Sequence, residues 1–160
     1  MKVSKRGEYA LRSLIDLGMA RELGLPMLRI NDLARKERIP VKFLEQILLQ
    51  LKRAGYLDSK RGKGGGYCLK KPMPKIKIGS VVRLIDGPLA PIRCASVTAY
   101  GRCSCPDEKH CGLRMLMVDV RNATANIMDH ATLAGIVATT LRKIHRDKVL
   151  PLFFKKGVKK

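Results

Sequence analysis

The sequence predicts a mainly α-helical fold with one small β-hairpin: three helices, the hairpin, a short helix, a loop and a long helix. Three observations predict it. Apolar residues recur at steps of three and four over most of the 160 residues. One stretch, "SKRGKGGGYCLKKP" from Ser59 to Pro72, holds four glycines within five residues, between two short runs of extended character. Aromatic residues make up only 4% of the chain and Trp is absent, which suits a core of Leu, Ile, Val and Met.

From Ser4 to about Ala20, Ala10, Leu11, Leu14, Ile15 and Leu17 fall at helical spacing, and Gly24 and Pro26 end the segment. A short helix near Asn31 to Glu37 turns Leu33 and Ala34 inward, with Asn31 or Asp32 as a cap. Pro40 sits where a helix can start without its missing amide. After it, Phe43, Leu44, Ile47, Leu48 and Leu51 form the clearest amphipathic stripe, stopped by Gly55. The two extended runs, Tyr56–Ser59 and Tyr67–Leu69, pair across the glycine-rich loop, and Pro72 and Pro74 close this unit.

Residues 78–86 read as a helix with Val81, Val82 and Ile85 inward, broken by Gly87, Pro88 and Pro91. Residues 93–111 hold four of the five cysteines with no periodicity, which reads as a loop. Leu113, Leu116, Met117, Val120, Thr124, Ile127 and Ala131 then mark a long helix. Their spacing, near 3.5, suits a partner helix as well as intramolecular packing. The organisation expected is therefore a unit over 1–75, a cysteine loop and dimerisation helix over 76–137, and a basic C-terminal tail over 138–160.

Charge narrows the function. Thirty-three Lys and Arg against thirteen Asp and Glu give a formal +20. Between Lys52 and Lys77 nine cations face one acid, Asp58. A bias this strong points to a polyanionic partner. No segment is apolar enough for a membrane span, and the N-terminal residues lack a signal-peptide core, so no membrane partner and a cytoplasmic location are expected. In that compartment cysteines are reduced, metal-bound or redox-active.

The glycine-rich stretch is not a nucleotide cradle. A Walker-type loop needs Gly-Lys-Ser/Thr ahead of a helix, whereas Gly66 is followed by Tyr67 and no helix follows. No parallel-sheet pattern surrounds it, so a dinucleotide fingerprint fails too. Three helices and a hairpin are instead the order of a winged helix-turn-helix, in which the third helix enters the major groove. The hairpin tip would lie on the DNA backbone or in the minor groove, with Arg61 and Lys63 supplying charge. No paired carboxylate, nucleophile–base set or cofactor fingerprint argues for an enzyme.

"MKVSKRGEYALRSLIDL", "PVKFLEQILLQLKRAGYLDSKRGKGGGYCL" and the cysteine loop after them resemble the Rrf-type winged-helix transcription regulators. That family includes the iron–sulfur cluster regulator IscR, the nitric-oxide-sensing NsrR and the iron-responsive RirA. The resemblance runs from Met1 to about Val137. It implies a homodimer on a double-stranded DNA operator, with Pro40, Lys42 and Glu45 toward the major groove, Gln46 beside them, and Arg61 in the minor groove. The family usually has small polar residues where Pro40 and Lys42 stand. Cys68, on the second hairpin strand, reads as a half-buried packing residue.

Cys94, Cys103, Cys105 and Cys111 follow the spacing C-x8-C-x-C-x5-C. Clustered thiolates select zinc or iron–sulfur clusters. No CxxC is present for a zinc site or a thioredoxin-like pair. The resemblance implies an iron–sulfur cluster, 2Fe–2S or 4Fe–4S, on Cys94, Cys105 and Cys111. Cys103 is an extra thiol that would replace Cys105 or act as a fourth ligand. IscR-like members have a His three residues beyond the last cysteine, where this chain has Arg114. Other members draw a fourth ligand from an acidic residue early in the first helix of the partner subunit, where Glu8 stands here. Zinc-bound or redox-active thiols are the alternative.

Overall fold

A computed structural model describes residues 2–149. α1 spans Lys5–Glu22 and is capped by Ser4, whose hydroxyl accepts the Gly7 N–H at 3.0 Å. Ala10, Leu14 and Leu17 turn inward as their spacing predicts. α2 spans Ile30–Glu37. Its cap is Arg29, which makes no side-chain capping bond. Asn31 and Asp32 therefore lie inside the first turn, correcting the expectation that one of them caps it.

α3, Val41–Arg53, starts after Pro40 and buries Leu44, Ile47, Leu48 and Leu51. Phe43 leaves the expected stripe. It is exposed and meets the Tyr9 ring edge-on at 5.9 Å between centroids. Gly55 takes a left-handed φ of 76° and turns the chain out of α3. β1 (Leu57–Lys60) and β2 (Gly66–Leu69) pair antiparallel, Leu57 opposite Leu69 and Lys60 opposite Gly66. Leu28, from the α1–α2 connection, adds a bridge on the other side of β2, with paired backbone bonds to Tyr67 of 3.0 and 2.8 Å.

α4 spans Ile78–Asp86, burying Val81 and Val82. α5 spans Gly112–His130, and α6 spans Leu133–Arg146, capped by Thr132. α6 crosses the expected boundary at 137/138, so the part of the tail up to Arg146 is helix; residues 150–160 lie outside the described residues. Leu133 and Val137 of α6 share one core with Leu14 of α1 and Leu44, Ile47, Leu48 and Leu51 of α3. Gly18 makes that crossing close, since a Cβ there would stand 2.7 Å from a Val137 methyl. Val81 of α4 belongs to this core too, and the two ends of the stretch between Ile76 and Leu133 meet at a neck. Leu133 N–H donates to the Ile76 carbonyl at 2.9 Å, and Ile78 N–H to that of Ala131 at 3.0 Å.

A charge network locks α2 onto α1 below α3. Lys36 ion-pairs with Asp16 and, at 2.9 Å, with Glu37; Arg12 reaches Glu37 at 2.5 Å and Glu8 at 3.1 Å. Asp16 is almost wholly buried and its Oδ2 has no hydrogen-bond partner. Burial pushes its carboxyl up to about 7, against the pull of Lys36. Burial also opposes ionisation of Glu37, but Lys36, Asp16 and Arg12 together hold its carboxyl below the usual range.

Candidate nucleic-acid interface and cysteine loop

Along α3 the buried residues alternate with an exposed face that presents Lys42, Glu45 and Gln46, with Pro40 exposed at the helix start. Arg61 and Lys63 are exposed at the hairpin tip. None of these six side chains makes a hydrogen bond or ion pair with a described residue, which leaves them free for an outside ligand. α3 and the hairpin are held together: Lys52 donates to the Ser59 hydroxyl at 2.6 Å. Burial first, and the nearby Glu45 carboxylate second, hold the Tyr67 phenol above its usual range, so Glu45 lies beside the hairpin base.

The glycines explain the hairpin's shape. Gly62 and Gly64 adopt positive φ of 93° and 82°, and Gly65 N–H closes the turn on the Gly62 carbonyl at 2.9 Å. A Cβ on Gly66 would stand 2.4 Å from the Leu28 carbonyl oxygen. That glycine exists for the approach of backbone to backbone. Cys68 is half-buried on β2, as its strand position suggests.

In the cysteine loop, Cys94 is buried in a short 3-10 turn, Arg93–Ala95, packed on α5. Cys111 caps α5, its sulfur accepting the Arg114 N–H at 3.4 Å. Arg114 Nε donates to the Cys94 carbonyl at 3.1 Å, so one residue gathers both ends of the loop. Glu108 holds the middle. It accepts from Tyr100 Oη at 2.6 Å and from Cys103 N–H at 3.4 Å, and it pairs with Arg114 at 3.4 Å. The Tyr100 hydroxyl chiefly holds the Glu108 carboxyl below its usual range. The sequence reading missed Glu108 and Tyr100. The only available signal was the adjacent acids Asp107 and Glu108 inside the cysteine loop.

The thiols are not gathered to one point. Cys103 and Cys105 are joined as a disulfide, while Cys94 and Cys111 are free. Among the described residues no three Cys, His, Asp or Glu side chains converge on a metal position. The donor chemistry fits an iron–sulfur cluster or zinc, because the thiols share one loop, but Cys105 must first be released from Cys103. Glu8 is occupied by Lys5 at 2.8 Å and Arg12 at 3.1 Å, and Lys5 chiefly holds its carboxyl below the usual range. His110 pairs with Asp107 at 2.6 Å on the exposed side of the loop.

Residues 3–139 match the Rrf2 family model, described as an iron-dependent transcriptional regulator. The chain belongs to the Rrf2 family. It is 38% identical over 138 residues to an rrf2-like HTH-type transcriptional regulator of Rhodobacter capsulatus, covering 85% of this chain and 92% of that one. It is 33% identical over 86 residues to the regulator IscR of Cereibacter sphaeroides, 54% of this chain and 56% of that one. Its structure resembles that of CymR, the global cysteine regulator of B. subtilis, with a TM-score of 0.73, 25% identity, and coverage of 87% and 98%. The winged-helix fold and the expected class of DNA-binding transcriptional regulator, not enzyme, are thereby confirmed. No described helix of this Rrf2 chain is long and apolar enough to cross a membrane.

Proposed function

We propose that this Rrf2-family chain acts in the cytoplasm as a homodimer that binds a two-fold operator and senses iron, redox or nitric-oxide status through its cysteine loop. One observation carries the DNA-reading part. The solvent face of α3, with Lys42, Glu45 and Gln46, stands beside a hairpin that offers Arg61 and Lys63, all unpaired. The α3 face suits base edges in the major groove, and Arg61 suits the deep negative potential of a narrow minor groove. Dimerisation is supported by α5. It has no buried residue, and Leu113, Leu116 and Ile127 are 58%, 55% and 70% exposed. Such a stripe calls for a second copy.

For the sensor we favour an iron–sulfur cluster on Cys94, Cys105 and Cys111, with Cys103 or Glu8 of the partner subunit as candidates for the fourth ligand. Such a cluster, when bound, makes the order of the loop depend on iron and oxidants. Cys111 caps α5, and Arg114 ties Cys94 to the same helix, so ligation at these residues would bear directly on the dimer helix. Glu8 would have to leave Lys5 and Arg12 to take part. A second reading, a thiol–disulfide sensor, rests on the Cys103–Cys105 pairing. Anaerobic purification with an absorbance spectrum and iron, sulfide and zinc assays separates them. Iron and sulfide, lost in Cys94→Ala, Cys105→Ala and Cys111→Ala, support the cluster. A colourless protein that cannot be reconstituted refutes it, and bound zinc or a reversible Cys103–Cys105 bond then carries the alternative.

A further inference from the structure

We infer that Val41 and Phe43, in the first turn of α3, are specificity-determining residues that contact thymine C5-methyl groups in the major groove. The inference rests on the DNA-reading proposal above and names part of what is read. Up to residue 92, the described Leu, Ile, Val, Met and aromatic side chains are buried or half-buried with two exceptions, Val41 at 41% and Phe43 at 40% exposure. Single exposed apolar residues are ordinary on any surface. These two share one helical turn, with exposed Lys42 between them and exposed Glu45 and Gln46 one turn further on. They therefore stand among the side chains that suit base edges.

Their place within α3 supports the same partner. Helical side chains tilt toward the N-terminus, so those of the first turn project past the helix end. In helix-turn-helix proteins that end of the recognition helix meets the base edges. Leu44, Ile47, Leu48 and Leu51 face the core, and Val41 and Phe43 fall on either flank of the opposite, polar face. The Tyr9 ring of α1 steadies Phe43 from one side, edge-on at 5.9 Å, and the outer side of Phe43 stays exposed. Lys42, Glu45 and Gln46 can exchange hydrogen bonds with polar base atoms, whereas Val41 and Phe43 cannot. The thymine C5-methyl is the apolar group that base pairs display in the major groove. Contact with it takes both partners out of water without unpairing a hydrogen-bonding atom, a match that an unmodified G·C pair does not offer.

The test uses the full chain and a duplex enriched by repeated binding from a random-sequence library. Each thymine of that duplex is replaced in turn by deoxyuridine, which deletes the methyl and keeps the base pairing. Fluorescence anisotropy should show about a 4-fold loss of affinity at two or more positions, the effect of no longer burying one methyl group. In Val41→Ala the loss should vanish at one of these positions, and in Phe43→Ala at another. Each ratio compares two duplexes on one protein, so a change in stability cancels, and Val41→Ala should melt like the unaltered chain. A variant that keeps every loss at full size removes its residue from the assignment. Indifference of the unaltered chain to every thymine methyl overturns the inference and leaves the DNA-reading proposal intact. No enrichment and no duplex binding overturn both. Enriched duplexes that lack thymine but bind more tightly once a cytosine is 5-methylated overturn the thymine assignment in favour of methylated cytosine.

Discussion

Arg83 of α4 and Asp129 of α5 meet in a two-pronged ion pair, Nη1 to Oδ1 at 2.6 Å and Nη2 to Oδ2 at 2.8 Å. This fork ties the long helix to α4 near the neck, and Gly79 makes room for it, because a Cβ there would stand 2.0 Å from Asp129 Oδ1. The geometry is good, but both side chains keep contact with water. Screening limits the coupling to about 0.5–1 kcal/mol. A double-mutant cycle with Arg83→Ala and Asp129→Ala in urea unfolding should return that value. Arg83 holds the Asp129 carboxyl below its ordinary range, so the contribution is present above the unfolded carboxylate pKa and is lost as pH falls through the lower folded one. A coupling that is indifferent to acid would contradict the fork.

Asp16 predicts the opposite pH dependence. Its folded carboxyl titrates near 7, well above its unfolded value near 3.8. The folded state therefore binds the extra proton between these limits. The stability it contributes is complete below about pH 4 and is lost as pH rises toward 7. Asp16→Asn keeps the shape and removes the titration. Urea midpoints at pH 5 and pH 7.5 should differ less in Asp16→Asn than in the unaltered chain; an equal difference in both would assign the proton elsewhere.

The hairpin separates shape from charge. Arg61→Ala should weaken duplex binding by about 1–3 kcal/mol and leave the melting temperature unchanged. Gly66→Ala should lower both, at a stability cost of about 1–3 kcal/mol, because its methyl group forces Leu28 away from Tyr67. If Gly66→Ala melts like the unaltered chain, the Leu28–Tyr67 bridge does not hold the hairpin.

Charge placed on the exposed face of α5 should dissolve the proposed dimer. Leu116→Glu and Ile127→Glu lie where no described side chain packs tightly, so the monomer should keep its helical content. Sedimentation velocity at micromolar concentration reads the outcome. A dimer that survives both substitutions places the interface elsewhere.

Where the sequence was legible, one physical pattern dominated. Leu44, Ile47, Leu48 and Leu51 repeat at helical steps and all are buried. The hairpin was legible because Gly55, the glycine run and Pro72 mark its ends. Phe43 fooled the pattern, since an aromatic ring can satisfy itself edge-on against Tyr9 at the surface. Most of α6 was expected only as part of a basic tail, because what anchors it is the close approach of Val137 to Gly18, which joins distant parts of the chain. In the cysteine loop the spacing named the thiols. It could not show that Arg114 and Glu108 organise them, because those bonds join residues between five and twenty positions apart without periodicity.

The neck between Ile76 and Leu133 has an evolutionary consequence. The segment between α4 and α5 lies outside the shared core, and its ends are held by the neck's backbone bonds and by the Arg83–Asp129 fork, not by its length. Closing a longer loop costs only about 0.6 kcal/mol for each doubling. Residues can therefore be inserted or deleted between Arg93 and Cys111 at little cost to the core that joins α1, α3 and α6. Such a scaffold tolerates changes in the cysteine loop while the core that holds α3 and the hairpin keeps its shape.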